Sequence, residues 1–159
     1  MADNTVFKVK DYSPGAVTTC RSLLIEDAFV QDSSVEVSLR QPAGTILSKA
    51  VFRFDTAVDA AATSTITVDI GASDDKDGII DGGVIMAANA ADPAANAVVV
   101  FEETAFIGQH APGATTGIAT ASKSYAAKDR DLFVTIITSD HAIAANGDIA
   151  VTLFFDVIG

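Results

Sequence analysis

The chain has 159 residues, 49% of them hydrophobic, which is enough to bury a sizeable core without disulfides or metals and excludes global disorder. Its formal charge of −11, from 21 acidic and 10 basic residues, argues against nucleic acid as a partner, because phosphate binding needs clustered Lys and Arg. The same balance argues against an anionic membrane surface, and the single Cys20 excludes an internal disulfide.

The acidity is uneven. Residues 1–53 hold six basic and six acidic side chains, so the remaining two-thirds carry the whole net charge of −11. Met1 to Thr5 shows neither the basic nor the apolar region of a secretory signal. No apolar run approaches the ~20 residues of a membrane helix. The expectation is a chain made in a cytoplasm and kept in solution. With 16 Val, 14 Ile and 15 Thr against 6 Leu, the composition favours sheet, where stiff β-branched side chains fit the pleated surface. The 28 Ala fall largely in runs beside Asp, Asn, Pro and Gly, such as Ala87–Ala97, which read as small-residue connections.

In chain order, residues 1–21 read as an N-terminal arm or edge segment and residues 22–159 as the main domain. Val6-Phe7-Lys8-Val9-Lys10 alternates as a short strand, and Pro14-Gly15 breaks it. Leu23 to Val30 reads equally as a bulged strand or a short helix. Val35, Val37 and Leu39 alternate with Glu36, Ser38 and Arg40, the period-2 pattern of a half-buried strand. Gln41-Pro42-Ala43-Gly44 forms a turn. A strand with Ala50, Phe52 and Phe54 on one face follows, then another with Ile66, Val68 and Ile70 inward.

Ser73 to Gly83 reads as an acidic loop, with Val84-Ile85-Met86 as a candidate short strand after it. Val98 to Phe101 and Ala105 to Ile107 read as β, Gly108 to Gly117 as a protruding loop, and Ile118 to Tyr125 as a weak strand. Leu132 to Ile137 is a strand of buried type that includes Phe133 and Val134. Asn146-Gly147 marks a turn, and Ile149, Val151, Leu153, Phe155 and Val157 alternate to the end of the sequence. Eight to ten strands with connections every 8–12 residues indicate an antiparallel β-sandwich or barrel.

Chemistry-bearing motifs are sparse. Asp75, Asp77, Gly78 and Asp81 have a spacing that suits part of a calcium loop, which supplies oxygens at alternate positions around a glycine turn. The first ligand position is Ser73 and the twelfth is Val84 rather than a bidentate Glu, so a solvated turn is the favoured reading and no cofactor is expected. His110 and His141 have no second ligand at a metal spacing. Asp140-His141 lacks a Gly-x-Ser-x-Gly nucleophile elbow, and no enzyme activity is expected. Lys8 and Lys10, flanking Phe7 and Val9, read either as a docking strand or as an ordinary edge strand whose lysines discourage further pairing.

The string Gln41 to Ala57 resembles small structural proteins of tailed bacteriophages. So do Thr65 to Ile70 with the acidic Asp77-Gly78-Ile79-Ile80-Asp81-Gly82-Gly83 after it, and Arg130-Asp131-Leu132-Phe133-Val134-Thr135-Ile136 with the final alternating strand. This layout resembles that of head decoration, or cement, proteins over residues 41–159. The resemblance implies a jelly-roll-like β-sandwich and a non-enzymatic virion protein. It implies a location on the capsid exterior, the major capsid protein as partner, and a homo-oligomer, most often a trimer. Phe7, Lys8, Val9, Lys10 and Arg21 are the candidate capsid-docking residues, placed there by the charge split and the edge-strand pattern. The rival readings are a tail or fibre component that recognises a host surface and a calcium-binding β-sandwich module, with Asp75, Asp77 and Asp81 as its metal candidates.

Overall fold

A computed structural model describes residues 5–10, 17–29, 33–102, 123–139 and 147–157. Among the described residues there are ten strands: β1 (Thr5–Lys10), β2 (Val17–Phe29), β3 (Ser34–Gln41), β4 (Thr45–Phe54), β5 (Thr65–Ala72), β6 (Asp75–Met86), β7 (Val98–Glu102), β8 (Tyr125–Ala126), β9 (Arg130–Ser139) and β10 (Gly147–Val157). Every pairing between them is antiparallel. One sheet runs β1-β2-β10-β4-β7, with β8 also on β4, and the other runs β3-β9-β5-β6. The two pack as a sandwich. From β2 to β5 the chain changes sheet at every connection, which gives the jelly-roll-like winding that the family resemblance implies.

The core follows from period-2 alternation. Ala50, Phe52 and Phe54 of β4 are fully buried, as are Ile66, Val68 and Ile70 of β5. Ile149, Val151, Leu153 and Phe155 of β10 are buried too, and the inward pattern ends at the exposed Val157. The most central strands come from the chain's last third. β10 lies between β2 and β4, and β9 lies between β3 and β5. Each therefore satisfies both of its backbone edges only by pairing with residues 60 or more positions earlier, an arrangement with high contact order.

Four sequence expectations are corrected or resolved. Ser73 to Gly83 is not a loop: the chain turns at Ser73–Asp74 and then runs as β6. Its acidic residues stand outward on an edge strand, where one side meets water, while Ile79, Ile80, Ile85 and Met86 fill the core. Register shifts along the β5–β6 pair absorb its irregular spacing, and Gly82 adopts φ +61°, a left-handed conformation that glycine enters without strain.

Leu23 to Val30 resolves into strand as far as Phe29. Its ambiguous pattern reflects a bulge opposite Gly147 and Ile149, with Asp27 at φ +51°. In β9, Leu132, Val134 and Ile136 are buried whereas Phe133 is only half-buried, so the strand alternates instead of burying both faces. Phe133 lies on the outer face beneath Lys76 Nζ, 4.6 Å from its ring centroid. Lys123 and Ser124, read as part of a weak strand, form a helical turn that leads into β8. Ala105 to Ile107, the Gly108–Gly117 loop, His110, Asp140 and His141 lie outside the described residues.

Candidate functional site

Two regions hold the candidate residues. The first is the β1–β2 edge of the larger sheet. β1 pairs with β2 alone among the described strands. Phe7 stands opposite Cys20, Lys8 opposite Thr19, Val9 opposite Thr18 and Lys10 opposite Val17. Arg21 stands opposite Val6 on one side and Leu153 of β10 on the other. The pairing thus brings all five candidate docking residues onto two adjacent strands, although 11 to 14 residues separate Arg21 from the others in sequence.

The two faces of β2 differ in polar satisfaction. On the outer face, Thr18 Oγ1 donates to Asp156 Oδ1 at 2.8 Å, and the Ser22 and Thr152 hydroxyls share a hydrogen bond of 2.8 Å. On the inner face, Thr19 and Arg21 share a side with the buried Leu153 and Phe155. Among the described residues, two buried side-chain atoms have no hydrogen-bond partner: Thr19 Oγ1 and Arg21 Nη1. Buried polar groups are nearly always paired, so two neighbouring orphans on one strand call for a physical reason. Cys20, on the outer side, is buried.

The second region is the end of the sandwich at the β5–β6 turn. Lys123 Nζ donates to Asp75 Oδ2 at 2.6 Å. Arg130 Nη2 donates to the Lys123 carbonyl, and Arg130 Nε donates to Gln41 Oε1 at 2.8 Å. The buried Gln41 amide donates in turn to the Thr45 and Ser124 carbonyls at 3.1 and 2.8 Å. β8 is hydrogen-bonded to β4 in one sheet, whereas Asp75 begins β6 in the other. The chain from Asp75 through Lys123 and Arg130 to Gln41 therefore ties the sheets together at this end. A cleft of about 210 Å³ lies beside it, lined by Asp74, Asp75, Gly78, Ile79, Lys123 and Arg130 among others.

This geometry sets the titration of the acidic candidates. The hydrogen bond from Lys123 holds Asp75 below its ordinary value, and Asp75 raises the Lys123 ammonium in return. Asp77 shares a hydrogen bond with Asp75 and is pushed up by it, with a lesser like-charge push from Asp81. Burial lowers Arg130. Asp75 and Asp77 are thus brought together, with Asp75 already taken up by Lys123. Among the described residues, no group of three or more His, Cys, Asp or Glu side chains is arranged to hold a metal ion. Lys123, Arg130 and Gln41 carried no signal in the sequence, since the residues they join lie up to 89 positions apart.

No protein-family model matches the chain, and no curated protein matches it. Among solved structures it is similar to a chain of the cyanophage Pam1 capsid asymmetric unit, at TM-score 0.51 and 13% identity, over 91% of this chain and 86% of that one. A chain from the capsid of Ralstonia phage GP4 also matches, at TM-score 0.41 and 17% identity, over 95% of this chain and 89% of that one. At 13% identity the Pam1 likeness is one of fold: a β-sandwich whose extent is nearly that of the whole chain.

Proposed function

We propose that this chain is a structural protein of a tailed-phage head, a decoration or cement protein that binds the outer surface of the capsid as an oligomer. The observation that carries the reading is the fold shared with a chain of a phage capsid asymmetric unit over 91% of this sequence. It is supported by the sequence resemblance over residues 41–159. The outer edge of β1, unpaired among the described residues, also fits, because an extended edge strand is a natural place for another chain to be gripped.

In this reading Phe7, Lys8, Val9, Lys10 and Arg21 face the major capsid protein. The acidic remainder of the chain, including Asp75, Asp77 and Asp81, faces solvent and keeps a high-copy protein soluble. A trimer places three such edges on neighbouring capsid subunits, so individually weak contacts sum to high avidity.

The test is co-sedimentation of the purified chain with expanded phage capsids that lack it, beside a form without residues 2–12. The full chain is expected to bind to saturation at a fixed stoichiometry. The shortened form is expected to stay folded by circular dichroism and to lose binding. A full chain that ignores capsids but binds host cells or glycans would overturn the proposal in favour of a tail or fibre role.

A further inference from the structure

The two sheets do not match in width. The larger has five strands side by side and the smaller has four. β2 packs against β3 across the sandwich, and the Cβ position of Gly83 in β6 touches the Phe101 ring of β7 at the far side. With β7 over β6 and β2 over β3, β1 has no counterpart in the smaller sheet. β3 pairs with β9 on one edge, and among the described residues nothing pairs its other edge. A fifth strand added there would lie across from β1.

Which backbone groups are open follows from the ladder. Thr138 N donates to the Ser33 carbonyl at 2.8 Å, one step before the Ser34–Ile137 pair. In an antiparallel pair, residues alternate between bonding the neighbour and pointing away from it. Val35, Val37 and Leu39 therefore bond β9, while the backbone groups of Ser34, Glu36 and Ser38 point to the open edge.

The inner face of β2, the strand that meets β3, is left unsatisfied. Thr19 Oγ1 and Arg21 Nη1 are buried without partners, while Arg21 as a whole is only half-buried. Val35 and Val37, on the core-facing side of β3, are also only partly covered. A donor that is closed off from water and lacks an acceptor costs free energy in the isolated chain. It marks a position where an acceptor arriving with a partner gains the most.

We propose that the free edge of β3 takes up an extended strand from another protein, with a carboxylate at an inward position accepting from Arg21. This inference rests on the docking reading above and specifies its chemistry: main-chain pairing to β3 supplies the register, and the Arg21–carboxylate contact supplies the selectivity. A second copy of this chain offering its own β1 is disfavoured, because Thr5–Lys10 carries two lysines and no carboxylate.

Two variants test it in the full-length chain, with expanded capsids as the probe. Ser38→Pro removes an N–H from the open edge and none from the β9 ladder, so the fold is retained while capsid binding is lost. Arg21→Met removes the orphan donor. It is expected to leave the melting temperature of the free chain unchanged or higher and to weaken capsid binding about 30-fold or more. A purely structural arginine would show the reverse, a lower melting temperature with normal binding per folded molecule.

If Ser38→Pro does not fold, Arg21→Met carries the test with Arg21→Lys beside it, the retained charge giving partial recovery of binding. Wild-type protein that ignores capsids overturns the docking reading and this inference together. Wild-type binding that both variants match overturns this inference alone. A change in the oligomeric state of the free chain in either variant would identify the occupant as a second copy and overturn the proposal.

Discussion

Lys123 Nζ lies 2.6 Å from Asp75 Oδ2, joining residues 48 positions apart in the sequence and fastening the start of β6 to the turn before β8. Asp75, itself lowered by Lys123, shares a hydrogen bond with Asp77 and raises it. These groups are exposed, and their worth lies in order at this end of the sandwich more than in global stability.

Replacing Asp75 by Asn removes the carboxylate that raises Asp77. NMR titration of the Asp77 carboxyl is expected to move down towards its ordinary 3.8, and the raised Lys123 towards 10.5. An unchanged Asp77 titration would assign its shift to another neighbour.

The linkage has opposing signs within the pair. Asp75 is lowered, so its contribution is present above 3.8 and is lost as pH falls through the lower folded value. Asp77 is raised, so it favours the fold in acid, and that contribution disappears as pH rises through its folded value. Lys123 is raised, so its contribution holds below 10.5 and is lost as pH rises beyond its folded value. In thermal melts the difference between wild type and Asp75→Asn is expected to shrink as pH falls below 3.8. A difference that grew on acidification would contradict this.

Gln41 is fully buried and uses both ends of its amide, donating to two carbonyls and accepting from Arg130. Gln41→Leu strands the Arg130 Nε and the two carbonyls. Denaturant unfolding is expected to show a loss of about 2–4 kcal/mol, from the penalty for unpaired buried groups. Glu36→Ala, which breaks an exposed bridge to Lys76 at 2.8 Å, is expected to cost about 0.5 kcal/mol or less and to be sensitive to salt.

Phe52 is fully buried and meets Phe101 edge-on, with ring centroids 5.8 Å apart. Phe52→Ala is expected to cost about 3–5 kcal/mol in denaturant unfolding, from lost transfer free energy and the cavity left behind. Val100→Ala, on the exposed side of β7, is expected to stay within about 0.5 kcal/mol of wild type.

At Gly147 an added Cβ would fall on the Phe29 ring, and that ring is itself fully buried. Gly147→Ala is therefore expected to destabilise by about 1–3 kcal/mol through overpacking. Phe29→Leu in the same chain is expected to recover part of the loss, with melting temperature as the readout. No recovery would place the cost in the backbone rather than in the contact.

Alternation every second residue is a local property. The sequence by itself therefore determined β3, β4, β5 and β10 and the side of each that faces the core: Phe52 inward and Arg53 outward needs only the pleat. Acidic and glycine residues spread through Ser73 to Gly83 obscured that pattern. Only the tertiary structure supplied an edge position on which a strand can carry Asp77 and Asp81 towards water while burying Ile79 and Ile80. Pairing is non-local, and no short-range signal says that β10 lies between β2 and β4, or that Arg21 is opposite Leu153. The Asp75–Lys123–Arg130–Gln41 chain depends wholly on that assembly, because hydrogen bonds form between groups the fold brings within 3 Å, whatever their spacing in sequence. The charge of −11 limited the partners from the start; that Arg21, on the inner face of β2, holds a buried donor without a partner among the described residues was decided by the packing of the two sheets.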